Sequence, residues 1–379
     1  PGGNVPVEFL VNGSLVRNPL VPDGIYNLLT RRNADGALFI NSFSRRLSEV
    51  GNRGADATTD TFRVASGVKG TLFKSWDYDV YGIYGVSKRV DISGGQFNAQ
   101  SFRQALEAIP DTDDVNGNGN VTEAICRDAE AREQGCVPIS IYGFGAITPG
   151  ALNWIQAPAN LNTFVTQKIV GASASGEVFQ LPAGPIGLAF GGEYRAEYSR
   201  SEFDALQQTG LNGGNVTPKT EGGFNVKEAF IETKVPILKN APFARALSVS
   251  GAVRAGDCST VGNTISWNGG LEWALNSTVK FRFTRALSTR APNIGELFQP
   301  PVEDFPAVID PCVGVTATST DSRSLACRAA PGVNANIAAN AGTFTLNQAD
   351  LQGTGGFDGG NPALDEEKGR STTFGIVVT

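Results

Sequence analysis

The chain has 379 residues, 31 Lys and Arg against 37 Asp and Glu, and a formal net charge of -6. That balance excludes the basic footprint of a nucleic-acid binder, and 41% hydrophobic with 18% charged residues excludes wholesale disorder. His is absent, which removes His-based catalysis and His metal ligation, and no apolar run reaches the ~18 residues of a spanning helix, which leaves a soluble chain or a membrane barrel.

Residues 1–58 read as a long excursion carrying a hairpin. Val7 to Val11 and Leu38 to Phe43 suit strands, and Ile25 to Arg32 suits a short helix. From Asp60 onward the signal is alternation with period two. Phe62, Val64, Val68 and Leu72 share one face, Arg63, Ala65 and Lys69 the other, and Phe73-Lys74-Ser75 makes a tight link. Trp76, Tyr78, Val80, Tyr84 and Val86 then oppose Asp77, Asp79 and Ser87, and a polar stretch follows over about 91–162. The pattern resumes from Phe164 to Phe179 and turns at Pro182-Ala183-Gly184. It is clearest where Ile186, Leu188, Phe190, Tyr194 and Tyr198 alternate with Glu193, Arg195 and Glu197.

After a polar loop over about 200–223, Ala229, Ile231 and Val235 oppose Glu228, Glu232 and Lys234. Leu247, Val249 and Val253 oppose Ser248, Ser250 and Arg254. Ile265, Trp267, Leu271 and Trp273 then oppose Ser266, Asn268 and Glu272, and Val279, Phe281 and Phe283 oppose Lys280 and Arg282. A loop over about 289–370 precedes a last strand from Thr372 to Val378. These are nine strands. Their odd links hold a handful of residues and their even links roughly seventy, twenty-four, eight and eighty. Long connections gathered at one end, strands of about 9 to 11 residues, and aromatics (Trp76, Tyr78, Tyr194, Tyr198, Trp267, Trp273) near strand ends suit an antiparallel transmembrane β-barrel wall. A half-buried antiparallel sheet is the plain alternative on alternation alone.

Five cysteines are present. Neither Cys126 with Cys136 nor Cys312 with Cys327 has the spacing of a zinc site. Two loop-closing disulfides in an oxidising compartment fit better, with Cys258 left over as a free thiol or the partner of a cysteine elsewhere. Asp114, Asn116 and Asn118, followed by Gly119, match the first half of a calcium loop, but Ile125 stands where its acidic twelfth position belongs. An Asn/Gly-rich turn is the plainer reading, with calcium as the alternative and no cofactor required.

Two segments carry a family signature. Thr284-Arg285-Ala286 with Arg290-Ala-Pro-Asn-Ile-Gly-Glu-Leu-Phe298 closely resembles the strand-to-loop motif of TonB-dependent outer-membrane receptors. Gly360-Asn-Pro-Ala-Leu-Asp-Glu-Glu-Lys368 is similar to the element that leads into that family's next strand, with Asp365-Glu366 where Lys-Pro is usual. Arg45 to Gly51 and Tyr194 to Tyr198 also look like family segments. The resemblance runs from about Phe39 to the end.

It implies a barrel of about 22 strands around a plug domain, set in outer-membrane lipid and driven by the TonB complex of the inner membrane. On this reading residues 1–58 are an extracellular excursion and 59–379 part of the barrel. The plug and closing strands lie outside the chain, which reads as a middle portion. The family takes up iron chelates, cobalamin and oligosaccharides, among others. Candidate ligand contacts are Glu193, Arg195, Glu197, Lys280 and Arg282 on the lumen face, and Tyr142, Phe144, Trp154 and Phe203 in the loops, each otherwise explained by lumen solvation or loop packing. The alternatives are a soluble or surface binding and adhesion module, and a passive porin. No Gly-x-Ser-x-Gly elbow, phosphate loop or His-containing triad supports an enzyme.

Overall fold

The computed structural model describes residues 2–73, 75–306, 309–347, 350 and 355–379, with backbone only for Gly2 and Ser42. Lys74 of the first predicted link lies outside the described residues.

Alternation becomes one antiparallel sheet of nine strands. They are β1 (Ala55–Leu72), β2 (Trp76–Ser93), β3 (Ala159–Leu181), β4 (Gly184–Phe203), β5 (Thr220–Ala241), β6 (Ala244–Cys258), β7 (Gly262–Ala274), β8 (Val279–Arg290) and β9 (Glu367–Val378). Each pairs with its neighbours in sequence, an up-and-down meander with β1 and β9 at its edges. Short links join β1 to β2, β3 to β4, β5 to β6 and β7 to β8 at one end. At the other end emerge 94–158, 204–219, 259–261 and 291–366. The sixth link, expected at about eight residues, is the three-residue turn Ser259–Val261, because β6 and β7 pair up to Cys258 and Gly262.

The strands are longer than expected, from 12 residues in β8 to 23 in β3. Alternation reports only the part of a strand with unlike surroundings on its two sides. Beyond the hydrocarbon both sides are wet, so the ladder runs on without a hydropathy signal. For the same reason Tyr194 and Trp267 lie well inside β4 and β7 rather than near their ends.

Cross-strand register assembles one continuous apolar face. Val64 pairs with Tyr84, Val80 with Ala172, Ala174 with Phe190, and Phe190 with Ile231. The row continues from Ile231 to Val253, Val253 to Trp267, and Phe283 to Phe374. No described element covers this face: Val68 is 64% exposed, Ile231 49% and Phe374 69%. A patch of this extent is an aggregation hazard in water and ordinary in lipid. Lys168 and Lys227 interrupt it toward the long links, and Arg285 stands on it between Gly269 and Thr372.

The buried cores lie in the loops, not under the sheet. Val5, Val50, Phe97, Phe102, Ile139, Ile147 and Ile155 form one cluster that joins the N-terminal segment to 94–158. Val7, Val21 and Leu38 form a second, and Val315, Cys327, Val333, Ile337 and Phe344 a third. The stretch read as polar therefore carries a core, built on the short helices Ala99–Leu106 and Pro149–Ile155. Within 2–54, Glu8–Val11 pairs with Ser14–Arg17 and Gly2–Pro6 with Phe39–Ser44. The helix expected over Ile25 to Arg32 is a single turn, Asp23–Tyr26, with no side-chain cap.

Candidate functional site: the lumen face and the loop crown

The second face of the sheet is polar, and its charges meet in pairs. The Tyr81 hydroxyl donates to Glu193 at 2.6 Å, and Gln167 donates to Glu197 at 3.0 Å, with Arg195 3.4 Å from the same carboxylate. Arg254 lies 3.1 Å from Glu228. Nearer the short turns, Glu272 collects Lys280 at 3.3 Å, Arg282 at 3.7 Å and Lys234 at 3.9 Å. A cavity of 840 Å³ opens there, lined by Glu177, Lys234, Arg245, Glu272 and Lys280 among others. Glu193, Arg195 and Glu197 therefore make one group in β4, while Lys280 and Arg282 make another at the short-turn end around Glu272. Alternation put all five on one face but said nothing of their height along the strands.

The two motif segments meet in space. Arg290, the last residue of β8, donates to Glu296 at 2.9 and 3.0 Å and to Glu367, the first residue of β9, at 2.6 and 3.0 Å. Asn293 caps the helix Ile294–Phe298 in a reciprocal box with Glu296. Backbone bonds from Gly360 to Gln299 (2.7 Å) and from Asn361 to Glu296 (2.8 Å) complete the junction. At Gly360 an added Cβ would stand 2.8 Å from the Leu297 carbonyl carbon, so glycine permits the close approach. The residues that carry the resemblance thus fasten the base of the longest link. Asp365 and Glu366 lie outside this bond set, whereas the Glu of the motif, Glu367, lies inside it.

The loop aromatics have different situations. Trp154 packs against the first core and donates its indole N–H to the Ser101 carbonyl at 2.9 Å. Tyr142 packs between two cores, its hydroxyl without a hydrogen-bond partner, and burial pushes its pKa up to about 12. Phe144 stands 94% exposed between Gly143 and Gly145. The tip is clamped by Arg45, which donates to the Gly143 carbonyl at 2.8 Å and pairs with Glu49, and Glu49 accepts from the Gly145 N–H at 3.3 Å. Burial pushes the Glu49 carboxyl up, but its backbone bonds and Arg45 outweigh this and hold it below the usual range. Phe203 ends β4, half-buried.

Cys126 is bonded to Cys136 and Cys312 to Cys327, each closing a turn inside a loop, and Cys258 is a buried free thiol. Around the Asn/Gly-rich turn, Asp114 accepts from the Gly119 N–H at 2.9 Å, Asn116 donates to Glu123 at 3.1 Å, and Asn118 donates to the same carboxylate. Among the described residues no group of three or more Cys, Asp or Glu is placed to hold a metal. A cavity of 330 Å³ in the loop crown is lined by Phe43, Arg45, Arg53, Phe97, Phe102 and Arg103 among others. Its arginines come from segments about fifty residues apart, so no local pattern in the sequence announces it.

The model of the TonB dependent receptor-like β-barrel family matches residues 12–379. The chain belongs to this family. It is outer-membrane barrel wall, and it crosses with strands; among the described residues no helix is long and apolar enough to do so. No curated protein matches the sequence. Among solved structures, it is similar to the siderophore receptor PirA from Pseudomonas aeruginosa at 10% identity and a TM-score of 0.36, covering 85% of this chain and 43% of that one. It is similar to PirA from Acinetobacter baumannii at 13% identity and a TM-score of 0.34, covering 92% and 53%. A variant of the ferric enterobactin receptor PfeA from Pseudomonas aeruginosa, in complex with enterobactin, matches at 12% identity and a TM-score of 0.35, covering 92% and 54%. The chain thus spans about half the length of these receptors.

Proposed function

We propose that this TonB-dependent receptor wall, with its loop crown, serves the active uptake of a scarce small ligand of the siderophore, cobalamin or oligosaccharide class. Energy would come from the TonB complex of the inner membrane. The observation that carries the reading is the two-faced sheet of a family member: apolar side chains uncovered on one face, paired charges on the other, and every long connection at one end. Such a wall separates lipid from a wet passage and gathers its recognition loops on one side of the membrane. Charged groups along the inner face and a cavity in the loop crown suit binding and passage.

The test uses the full-length receptor in Gram-negative cells with and without TonB. Radiolabelled ferric enterobactin, cyanocobalamin and a maltooligosaccharide serve as probes. Accumulation of one of them only when TonB is present is the expected result. Accumulation indifferent to TonB would favour a passive pore, and recovery of the protein in the soluble fraction would overturn the reading altogether.

A further inference from the structure

We infer that Asn118, in the link 94–158, is a site of spontaneous deamidation set up by the turn around it. The reaction converts its side-chain amide to a carboxylate and releases ammonia. Asn-Gly pairs occur in the sequence at Asn12, Asn116, Asn118, Asn212 and Asn268. A glycine after asparagine leaves the next backbone nitrogen unhindered, so that it can close onto the asparagine side chain. The structure separates these pairs. Asn212 is 1% exposed, and Asn268 is held in the ladder of β7 between Ala252 and Ala286. Asn12 sits in the two-residue turn of a hairpin with its backbone in the left-handed region at φ 50°. Among the described residues no carboxylate accepts from its Gly13 N–H. Asn116 and Asn118 remain, both exposed.

Both donate a side-chain N–H to Glu123, but they differ at the attacking nitrogen. The Gly117 N–H donates to the backbone carbonyl of Asp114 at 2.9 Å, a very weak base. The Gly119 N–H donates to the Asp114 carboxylate at 2.9 Å. A carboxylate in that place acts as general base on the nitrogen that must attack. The side-chain carbonyl of Asn118 accepts from the Asn120 N–H at 2.8 Å, a donor aimed at the oxygen on which charge develops. Glu123 holds the departing amide group. Base, oxyanion donor and leaving group thus converge on one side chain. In the reaction the Gly119 nitrogen bonds to Cγ of Asn118 and gives its proton to Asp114. The Cγ–Nδ2 bond breaks, and Nδ2 leaves as ammonia with the proton that Asp114 returns. Water then opens the five-membered imide at one of its two carbonyls, leaving aspartate or isoaspartate. The product sets a carboxylate where an amide donor faced Glu123, so a hydrogen bond gives way to like-charge repulsion at the tip of the link.

The test incubates the full-length receptor in detergent and heavy-oxygen water, so that only carboxyls formed during the incubation carry label. Proteolysis and fragment mass spectra then assign the label to one asparagine. Label at Asn118 is expected to accumulate at least about tenfold faster than at Asn116 of the same molecules, with isoaspartate among the products. Asp114→Asn keeps a side-chain acceptor for the Gly119 N–H and suits the left-handed backbone at that position (φ 50°), but it removes the base. It should slow Asn118 by at least about tenfold and leave Asn116 unchanged. A second reading needs no variant. Between about pH 6 and 8 the Asn118 rate of the natural receptor rises less steeply than the Asn116 rate, which depends on hydroxide as its base. No label at Asn118 by the time a guanidinium-unfolded sample is half labelled, equal rates at the two asparagines, or parallel pH profiles would each overturn the inference. So would an Asp114→Asn receptor that labels Asn118 at the natural rate. None of these readings depends on the transported ligand or on TonB, so the uptake proposal stands or falls separately.

Discussion

Placing an arginine at Ile231 asks the membrane question directly. Ile231 lies within β5, 49% exposed, between Phe190 on one side and Val253 on the other. Its neighbour in the chain, Glu232, pairs with Ala252 of β6 on the opposite face. An arginine on the lipid face of a barrel costs about 2–4 kcal/mol near the bilayer midplane. At about 1.36 kcal/mol per decade, that is roughly a 30- to 1,000-fold fall in the folded population. The same residue at Ala252 meets water and the acceptor side of Glu232, so Ala252→Arg is expected within ~0.5 kcal/mol of the natural chain. Urea titration of the full-length receptor folded into lipid vesicles, followed by Trp fluorescence, measures both. A penalty for Ile231→Arg no larger than that for Ala252→Arg would refute the assignment of faces, and with it the barrel reading of the sheet.

Three further outcomes follow from the loops. Glu8, 8% exposed, accepts from Arg32 at 3.1 Å, from the Leu38 N–H at 2.9 Å, and from the Tyr26 hydroxyl. Burial pushes its carboxyl up, but these bonds outweigh burial and hold the pKa below 4.5. Its contribution is therefore complete above pH 4.5 and lost as pH falls through the lower folded value. Glu8→Ala should cost about 1–3 kcal/mol locally, read as faster hydrogen exchange over residues 5–40 at neutral pH. Tyr142 runs the other way: its pKa, raised by burial from 10 to about 12, makes its contribution complete below pH 10 and lost between pH 10 and 12. Tyr142→Phe, which removes an unpartnered hydroxyl, should be neutral or stabilising by up to about 1 kcal/mol and should flatten that alkaline loss in a denaturation series. Cys312→Ser with Cys327→Ser opens a link of sequence separation 15, at about 3 kcal/mol to the small core around Val315 and Ile337. Exchange should rise over residues 312–346 and stay unchanged in β8; equal loss of protection in both would show that the loop and the sheet fold as one unit.

Several features were legible in the sequence because they depend on local periodicity. Side chains on the lipid face are mostly apolar, with Arg285 an exception, so Phe62, Phe190, Ile231 and Phe374 mark their face one strand at a time. The order of short and long links likewise follows from counting residues between alternating runs. What periodicity could not carry was distance. It placed Lys280, Arg282 and Glu193 on one face, and only the register of the ladders separated the group around Glu272 from the group around Tyr81. It lost the strands above the membrane, where both faces are wet. It also read about 91–162 as polar, because the core residues of that link, Phe97, Phe102, Ile139 and Ile155 among them, are scattered over short helices and irregular chain and leave no sustained period. The cavity lined by Arg45, Arg53 and Arg103 has the same origin. The wall is set by a pattern repeated along each strand. The crown, where recognition would occur, is set by contacts between segments far apart in the chain, and tertiary folding alone decides those.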